Sequence, residues 1–584
     1  PALVAFVVFD RAVVVASMVA PPDSPDSQLQ EDSRILPPTF EDVVDFRDDD
    51  TLQVVGSGSE EPGAGTSSED VRPHRHKTKN PTAVLLLPGV GIVRVAITDI
   101  ERFASDAPPR VTAKSKLEQA VFFGIKSDNP LVFQGRRALP FSDREVCDAA
   151  VELSHEIVNS KTPFIPSVPA SLEGNMKSRS AYLDALITFL NACKVNMDER
   201  TRWMLLYDAE KMAVATWIWQ KHEQFLAERP RADKKTLISE AAVFINENQK
   251  TELNVAAGQV DPVRHWFIHD ISRLDIFVAW AYQIIKYHYT QKLSDEPGLN
   301  RLVWEAVTIN NGALLEARQF RLDKAAQYGV DPAVVPTGNG LPEPWTSTYF
   351  ITNNLKRLTE FCHQWLAKHD AQPSADPRFD ARLLDTVRER LPSLTSQYFT
   401  SLSEYITWAA SSTDPETQDR CRAYQAAYAE DVYKKIVKLK EFDLWEEAVE
   451  LAREFEAFDA LADVVVGQIL MLEAAAADPT TTESKAQENA ALAQVKKQRL
   501  GRLMEEFGEG FASRAYEVLL DAAGVQAVLE FPFDRKGFVT KWLRGKPELA
   551  RISWVNEVLR EGDVGGAAET LLGLGMSREV QVWN

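Results

Sequence analysis

Cysteine is scarce. Four occur in 584 residues, Cys147, Cys193, Cys362 and Cys421, and no two lie close enough to share a metal or form a redox pair. Disulfide frameworks belong to small, cysteine-dense domains, so this usage fits a reducing compartment, cytosol or nucleus. Basic residues are outnumbered, 65 Lys and Arg against 85 Asp and Glu, for a net charge of −20. A nucleic-acid groove needs a cationic field, so direct DNA or RNA binding is disfavoured. Neither a glycine period nor a sustained heptad appears, which excludes a collagen-like or coiled-coil rod. Long apolar runs are also missing. Residues 1–20 come nearest, but Asp10-Arg11 divides them and no basic segment precedes them. They read as two buried strands joined by a tight turn rather than a membrane span. The chain opens on Pro1 rather than Met, which reads as a piece of a longer or processed protein.

Motifs of chemistry are equally sparse. GVGIVR at 89–94 lacks the third glycine and the following helix of a dinucleotide loop, and reads as a hairpin turn. No Gly-x-Ser-x-Gly elbow occurs. His265 and His269 have helical metal-ligand spacing and Asp270 follows, but Trp266 stands where a metalloprotease has Glu, and no third ligand is evident. They read as ordinary histidines on one helical face. Cys147 has Arg144 as its one nearby cation and reads as an inert buried thiol. His74 and His76 belong to a solvated basic tract, and His155, His222, His288, His363 and His369 are isolated. Carboxylate pairs such as Glu446-Glu447 and Glu505-Glu506 fall on polar helix faces. No catalytic, cofactor-binding or metal residue is therefore expected, and a non-enzymatic role follows.

What is present is a folded chain with 45% hydrophobic and 26% charged residues, long enough for several domains or one repeat array. Short apolar runs predict strands at 2–9, 12–19, 40–46, 51–56, 83–87 and 91–98, with PGVG (88–91) as a turn. The tracts 21–38 and 57–80 are too polar to pack and are expected to be mobile. Six such strands are too few for a closed propeller, and residues 1–105 read as its last blades. From 112 to 584 helical periodicity takes over. Ser142 and Glu145 form a capping box ahead of an amphipathic helix. Further helices are expected at 178–194, 198–227, 234–247, 263–292, 298–328, 347–369, 378–391 and 396–410. Others follow at 415–439, 443–455, 458–475, 482–507, 510–522, 535–543, 548–560 and 564–574. The fold class is mainly α, an irregular helical stack after a partial β-propeller.

One hairpin shows how such a stack closes. Asp443 is expected to cap a helix carrying Leu444, Ala448, Leu451 and Phe455, which faces Leu461, Val464, Val465, Ile469 and Leu472. Small Ala at the contact lets two helices approach. Aromatic residues at helical spacing, including Trp217, Trp219, Trp266, Phe267, Phe277 and Trp280, read as core rather than a ligand pocket. Ala567, Ala568, Leu571 and Leu572 are too few for a membrane-sensing helix and favour helix-on-helix packing.

Several segments together resemble the nucleoporin 133 family: LEQAVFFG (117–124), NPLVF (129–133), FIPSVPASLEGNMKSRSAYLDALITFL (164–190) and ISWVNEVLREGDVGGAAETLLGLG (552–575). The resemblance implies a non-enzymatic coat subunit without cofactor, in which a seven-bladed propeller precedes a helical stack. It implies a nuclear-envelope scaffold in the Y-shaped complex, supporting nucleocytoplasmic transport, mRNA export and pore assembly. A vesicle-coat or membrane-tethering subunit shares this architecture and is the alternative. The implied partner is the neighbouring helical nucleoporin of the stem, with membrane contact only through the propeller part not included here. The helix at 564–574 is expected to be followed by the docking helix, beginning near Trp583 and continuing past Asn584. Phe538, Trp542 and Leu543 are the upstream alternative for that contact.

Overall fold

A computed structural model describes residues 3–18, 40–60, 81–97, 111–126, 128–133, 139–229, 235–248, 261–290, 296–338, 340–534, 536–546 and 549–582. Most of the two polar tracts expected to be mobile, with His74 and His76, lies outside the described residues.

Valine-rich runs make the N-terminal region sheet. β1 (Leu3–Val8), β2 (Ala12–Met18) and β3 (Phe40–Asp45) form one antiparallel sheet in that order. β4 (Gly56–Glu60), β5 (Thr82–Leu87) and β6 (Gly91–Ala96) form a second. Val13 and Val15 of the first share a buried cluster with Leu85 and Leu87 of the second. The turn expected at PGVG closes through a Val90 N–H bond to the Leu87 carbonyl at 3.1 Å. One strand is displaced from its expected place. Residues 50–52 form a 3-10 turn, because the Asp49 carboxylate takes the Thr51 N–H at 2.8 Å. The strand expected at 51–56 instead occupies 56–60, inside the tract read as a mobile loop. Its small Gly and Ser residues are mostly exposed, so backbone pairing to β5 holds it, a signal that side-chain hydropathy does not carry.

From Ala113 onward the chain is helical. The capping box holds: Ser142 Oγ accepts from the Glu145 N–H at 3.3 Å, and Glu145 returns the contact to the Ser142 N–H at 3.0 Å. It starts α2 (Asp143–Val158), after α1 (Ala113–Phe123). Next come α3 (Leu172–Ala192), α4 (Glu199–Ala227), α5 (Leu237–Asn248), α6 (Pro262–His269), α7 (Leu274–Thr290) and α8 (Glu296–Tyr328). Then follow α9 (Tyr349–Ala371), α10 (Ala381–Ala409), α11 (Pro415–Lys438), α12 (Trp445–Glu454), α13 (Phe458–Ala477) and α14 (Glu483–Leu529). The stack ends with α15 (Phe538–Arg544), α16 (Ala550–Asn556), a π-helical turn at Glu557–Glu561 and α17 (Val564–Val582).

Several boundaries differ from expectation. α3 starts six residues early, because Ser171 caps it by accepting the Gly174 N–H. The helix expected over 263–292 breaks at Asp270 into α6 and α7. The break is anchored from α2, where Asn159 Oδ1 accepts the Ser272 N–H at 3.2 Å. Conversely, α10 runs unbroken through Pro392 where two helices were expected. Its buried face, with Leu391, Leu394 and Tyr398, continues on both sides of the proline and holds the helix together. In α14 the backbone leaves the helical region at Gly508, where a break was expected, and again at Gly524. Asp443 is not a side-chain cap. It adopts φ 62° and uses its backbone N–H to close the preceding 3-10 turn. α17 continues past Leu574 to Val582 rather than ending there.

The stack is not purely sequential. α4 packs on α8, and α8 on α10, while α5 packs with α6 and α7, and α7 packs on α8 and α9. From α10 on, each helix meets its near neighbours. One buried hydrophobic cluster runs from Ala113 to Leu543 through these contacts. One described helix, Phe458–Ala477, is long and apolar enough to cross a membrane, with mean hydropathy 1.7. It is the second arm of the expected hairpin: Ala448, Leu461, Val464 and Val465 are buried between α12 and α13.

Candidate interaction surface

Among the described residues, His265, His269 and the four thiols that sequence reading weighed are held in packing. The His265 and His269 rings lie 4.9 Å apart, His265 Nδ1 is 3.7 Å from Asp270, and His269 Nδ1 faces the Asn159 carbonyl at 3.4 Å. Burial, then the neighbouring His265, lowers the His269 pKa. No group of three or more His, Cys, Asp or Glu able to hold a metal occurs among the described residues. All four cysteines are buried thiols outside any disulfide. Burial pushes the Cys362 thiol up to about 12, so it stays protonated and unreactive. The aromatic stripe is mostly interior: Trp266 and Phe277 stand 4.0 Å apart by ring centroid, and Trp219 meets Phe267 edge-on at 5.4 Å. Tyr287 and Tyr289, at the end of α7, are exposed.

Sequence reading missed the buried charges that fix helix positions. Glu210 of α4 is fully buried and receives Arg321 of α8 through two bonds of 2.9 and 3.0 Å. Trp345 Nε1 donates to the same carboxylate at 2.7 Å, and Glu404 of α10 lies 3.6 Å from Arg321. Burial pushes the Glu210 carboxyl up, and the Arg321 charge opposes it. Three donors converge on the one carboxylate and favour its charged form. Arg179 of α3 is also fully buried. It donates to the Ile157 and Val158 carbonyls at the end of α2, to Asn175 and to the Phe267 carbonyl of α6. A cation at a helix C-terminus meets the negative end of its dipole. The available signal was positional, since Arg321 continues the buried stripe of Leu314 and Ala317 and precedes Ala325 and Tyr328.

The far end of the stack is built differently. Arg544 Nε bonds Glu557 at 2.7 Å, Thr570 Oγ1 bonds the same oxygen at 3.2 Å, and Asn556 bonds Thr540 at 2.8 Å. These contacts lash α15, the π turn and α17 together. Among the α17 side chains described, only Ala567 is buried. Leu559, Val564, Leu571, Leu572 and Met576 are exposed, Leu559 by 78%, and Trp554 is partly open. An exposed apolar set of this kind, on a helix that buries so little of its described side chains, has the make-up of a contact surface. Ala567 is thus taken up inside the protein, whereas Leu571 and Leu572 are available for a neighbour. Of the upstream alternative, Trp542 and Leu543 are buried and Phe538 half-buried, so those residues belong to the core. Trp583 lies outside the described residues.

Residues 204–582 match the family described as non-repetitive/WGA-negative nucleoporin C-terminal, and residues 1–94 match Nup133 N terminal like. The whole chain is 99% identical over 584 residues to nucleoporin NUP133 of Chaetomium thermophilum, of which it covers 43%. It is 21% identical over 506 residues, 84% of the chain, to nucleoporin nup132 of Schizosaccharomyces pombe, of which those residues cover 39%. The chain therefore spans less than half the length of either relative.

Proposed function

The chain belongs to the non-repetitive/WGA-negative nucleoporin family, of the nucleoporin 133 type, and from that premise we propose that it serves as a structural scaffold of the nuclear pore complex at the nuclear envelope. The reading rests on one observation above the rest. A single buried cluster runs from α1 to α15, so load applied at one end is carried by continuous packing. Buried ion pairs such as Glu210–Arg321 lock helices that are distant in sequence. Residues 1–105 serve as blades of a β-propeller, and the helical stack sets its distance and angle from a partner subunit. The apolar face of α17 and the π turn is where the neighbouring helical nucleoporin of the stem approaches. No chemistry is needed for this role. A fluorescent tag on the full-length protein tests it: a nuclear-rim signal agrees, and a Golgi or endosomal signal favours the vesicle-coat alternative.

A further inference from the structure

The outer edge of β3 borders a groove of about 690 Å³ where the first sheet meets α1. The Phe46 N–H donates to the Arg11 carbonyl, and the register sets Val44 opposite Val13 and Asp42 opposite Val15. Residues 42, 44 and 46 therefore bond inward to β2, and residues 41, 43 and 45 aim their backbone groups into the groove. This edge already takes an isolated antiparallel bridge at one end, Phe46 opposite Leu131. The Asp45 carbonyl accepts the Val132 N–H at 2.9 Å, and the Arg47 N–H donates to the Pro130 carbonyl at 2.9 Å. Beyond Asp45 that pairing stops among the described residues. The Val43 N–H bonds instead to Asp42 Oδ1 at 2.8 Å, a side-chain substitute for a strand carbonyl.

The lining is two-sided. Phe123, Leu131, Phe133, Phe189 and Pro140 supply apolar wall. Glu41, Val43 and Asp45 are exposed on the other face of the strand. Asp42, between them, is ion-paired with Lys116 of α1, whereas no ion pair to Glu41 or Asp45 is found among the described residues. Unpaired sheet edges template strand addition, with backbone bonds giving affinity and alternate side chains giving selectivity. Opposite charges directly across a ladder are favourable.

The geometry points to a docking site on β3 for an extended segment of a partner protein that alternates apolar and basic side chains. Its apolar residues face Phe123, Phe133 and Phe189, and its basic residues stand across from Glu41 and Asp45. The volume suits a short segment, within the roughly 300–1,000 Å³ of ordinary ligand clefts. Because the walls come from both β3 and α1, the segment also ties the sheets to the helical stack. This goes beyond the scaffold reading and does not depend on the α17 surface.

The test uses fluorescein-labelled acetyl-Lys-Val-Lys-Val-Lys-amide and the full-length protein, followed by anisotropy at physiological salt. Saturable binding is expected, at least tenfold tighter than the scrambled Lys-Lys-Lys-Val-Val peptide, which controls for general attraction to an acidic protein. Val43→Pro removes an outward N–H and leaves the β2 ladder intact, so it is expected to weaken binding at least tenfold without lowering the melting temperature. Glu41→Lys with Asp45→Lys is expected to transfer preference to the Glu-Val-Glu-Val-Glu peptide, a readout that survives any folding defect of the proline variant. Equal binding of the scrambled peptide, or unchanged preference after charge reversal, overturns the proposal. So does failure of every peptide to bind, which would mean that the protein's own chain occupies the groove.

Discussion

The indole of Trp217 lies against Gly312, so close that a Cβ on Gly312 would stand 2.2 Å from its Cη2 atom. Here the Trp217 side chain of α4 packs directly on the backbone of α8. Helix propensity alone favours alanine over a mid-helix glycine by about 1 kcal/mol. The contact reverses that sign. Gly312→Ala is expected to destabilise the protein by about 1–3 kcal/mol, the usual cost of overpacking. Trp217→Leu in the same chain should recover part of the loss. Chemical denaturation of the two single variants and the double variant checks both, and additive effects would mean the residues do not meet.

Glu210 and Arg321 give a second double-variant test. Removing one partner strands the other charge in the interior, at about 3–5 kcal/mol, whereas replacing both by apolar residues is often near neutral. Arg321→Met should therefore lower stability sharply, and Glu210→Leu with Arg321→Met much less. Equal losses for the single and the double variant would show that the pair contributes through packing alone.

The α12–α13 hairpin can be tested at Ala448, which is fully buried. Ala448→Asp places an unpaired carboxylate between the two helices. A cost of about several kcal/mol is expected, a large part of ordinary domain stability. Melting within a degree of the parent would show that Ala448 is not at the helix contact.

Buried His363 couples stability to pH. Burial, followed by the charges of Lys435 and Lys438, lowers its pKa to about 3, and its ring nitrogens have no hydrogen-bond partner among the described residues. The unfolded chain takes up a proton near the ordinary value of about 6.5 and the folded chain does not. Stability is therefore full above about 6.5 and is lost as pH falls toward 3. His363→Leu should flatten that part of the curve, read as melting temperature against pH. An unchanged slope between pH 6.5 and 4 would place the titrating group elsewhere.

Apolar periodicity made most of the fold legible. The stripe through Val146, Ala150, Leu153 and Ile157 located α2, and the valine-rich apolar runs located β1 and β2. What it could not carry was structure held by backbone or by charge. β4 has almost no side chains to bury, so its pairing with β5 left no mark in hydropathy. Pro392 looked like a break because the local rule is strong, but the buried face on either side outweighed it. The burial of Arg179 and Glu210 left no mark in the sequence, because buried charges are rare and their carbonyl, indole and guanidinium partners come from elements far away in sequence. The α17 residues Leu571 and Leu572 were legible as apolar, but their exposure depends on how Ala567 turns the helix onto the π turn.

That exposure separates stability from association. Leu572 is 66% exposed and Leu571 45%, so neither contributes much to the core. Leu572→Arg is expected to change stability by no more than about 0.5 kcal/mol, as for surface substitutions generally. At a protein interface the same change would bury a guanidinium against an apolar partner, and central contacts of this kind cost about 2 kcal/mol or more. The expected result is an unchanged melting curve with at least tenfold weaker binding, by the full-length protein, of the nucleoporin proposed as partner for this face, measured by calorimetry. Leu559→Arg, on the adjoining turn, should do the same. Ala567→Arg differs, because Ala567 is buried against the protein itself, and it should lower the melting temperature. If Leu572→Arg and Leu559→Arg bind the partner as the parent does, the α17 face is not the contact, whatever Ala567→Arg does to folding.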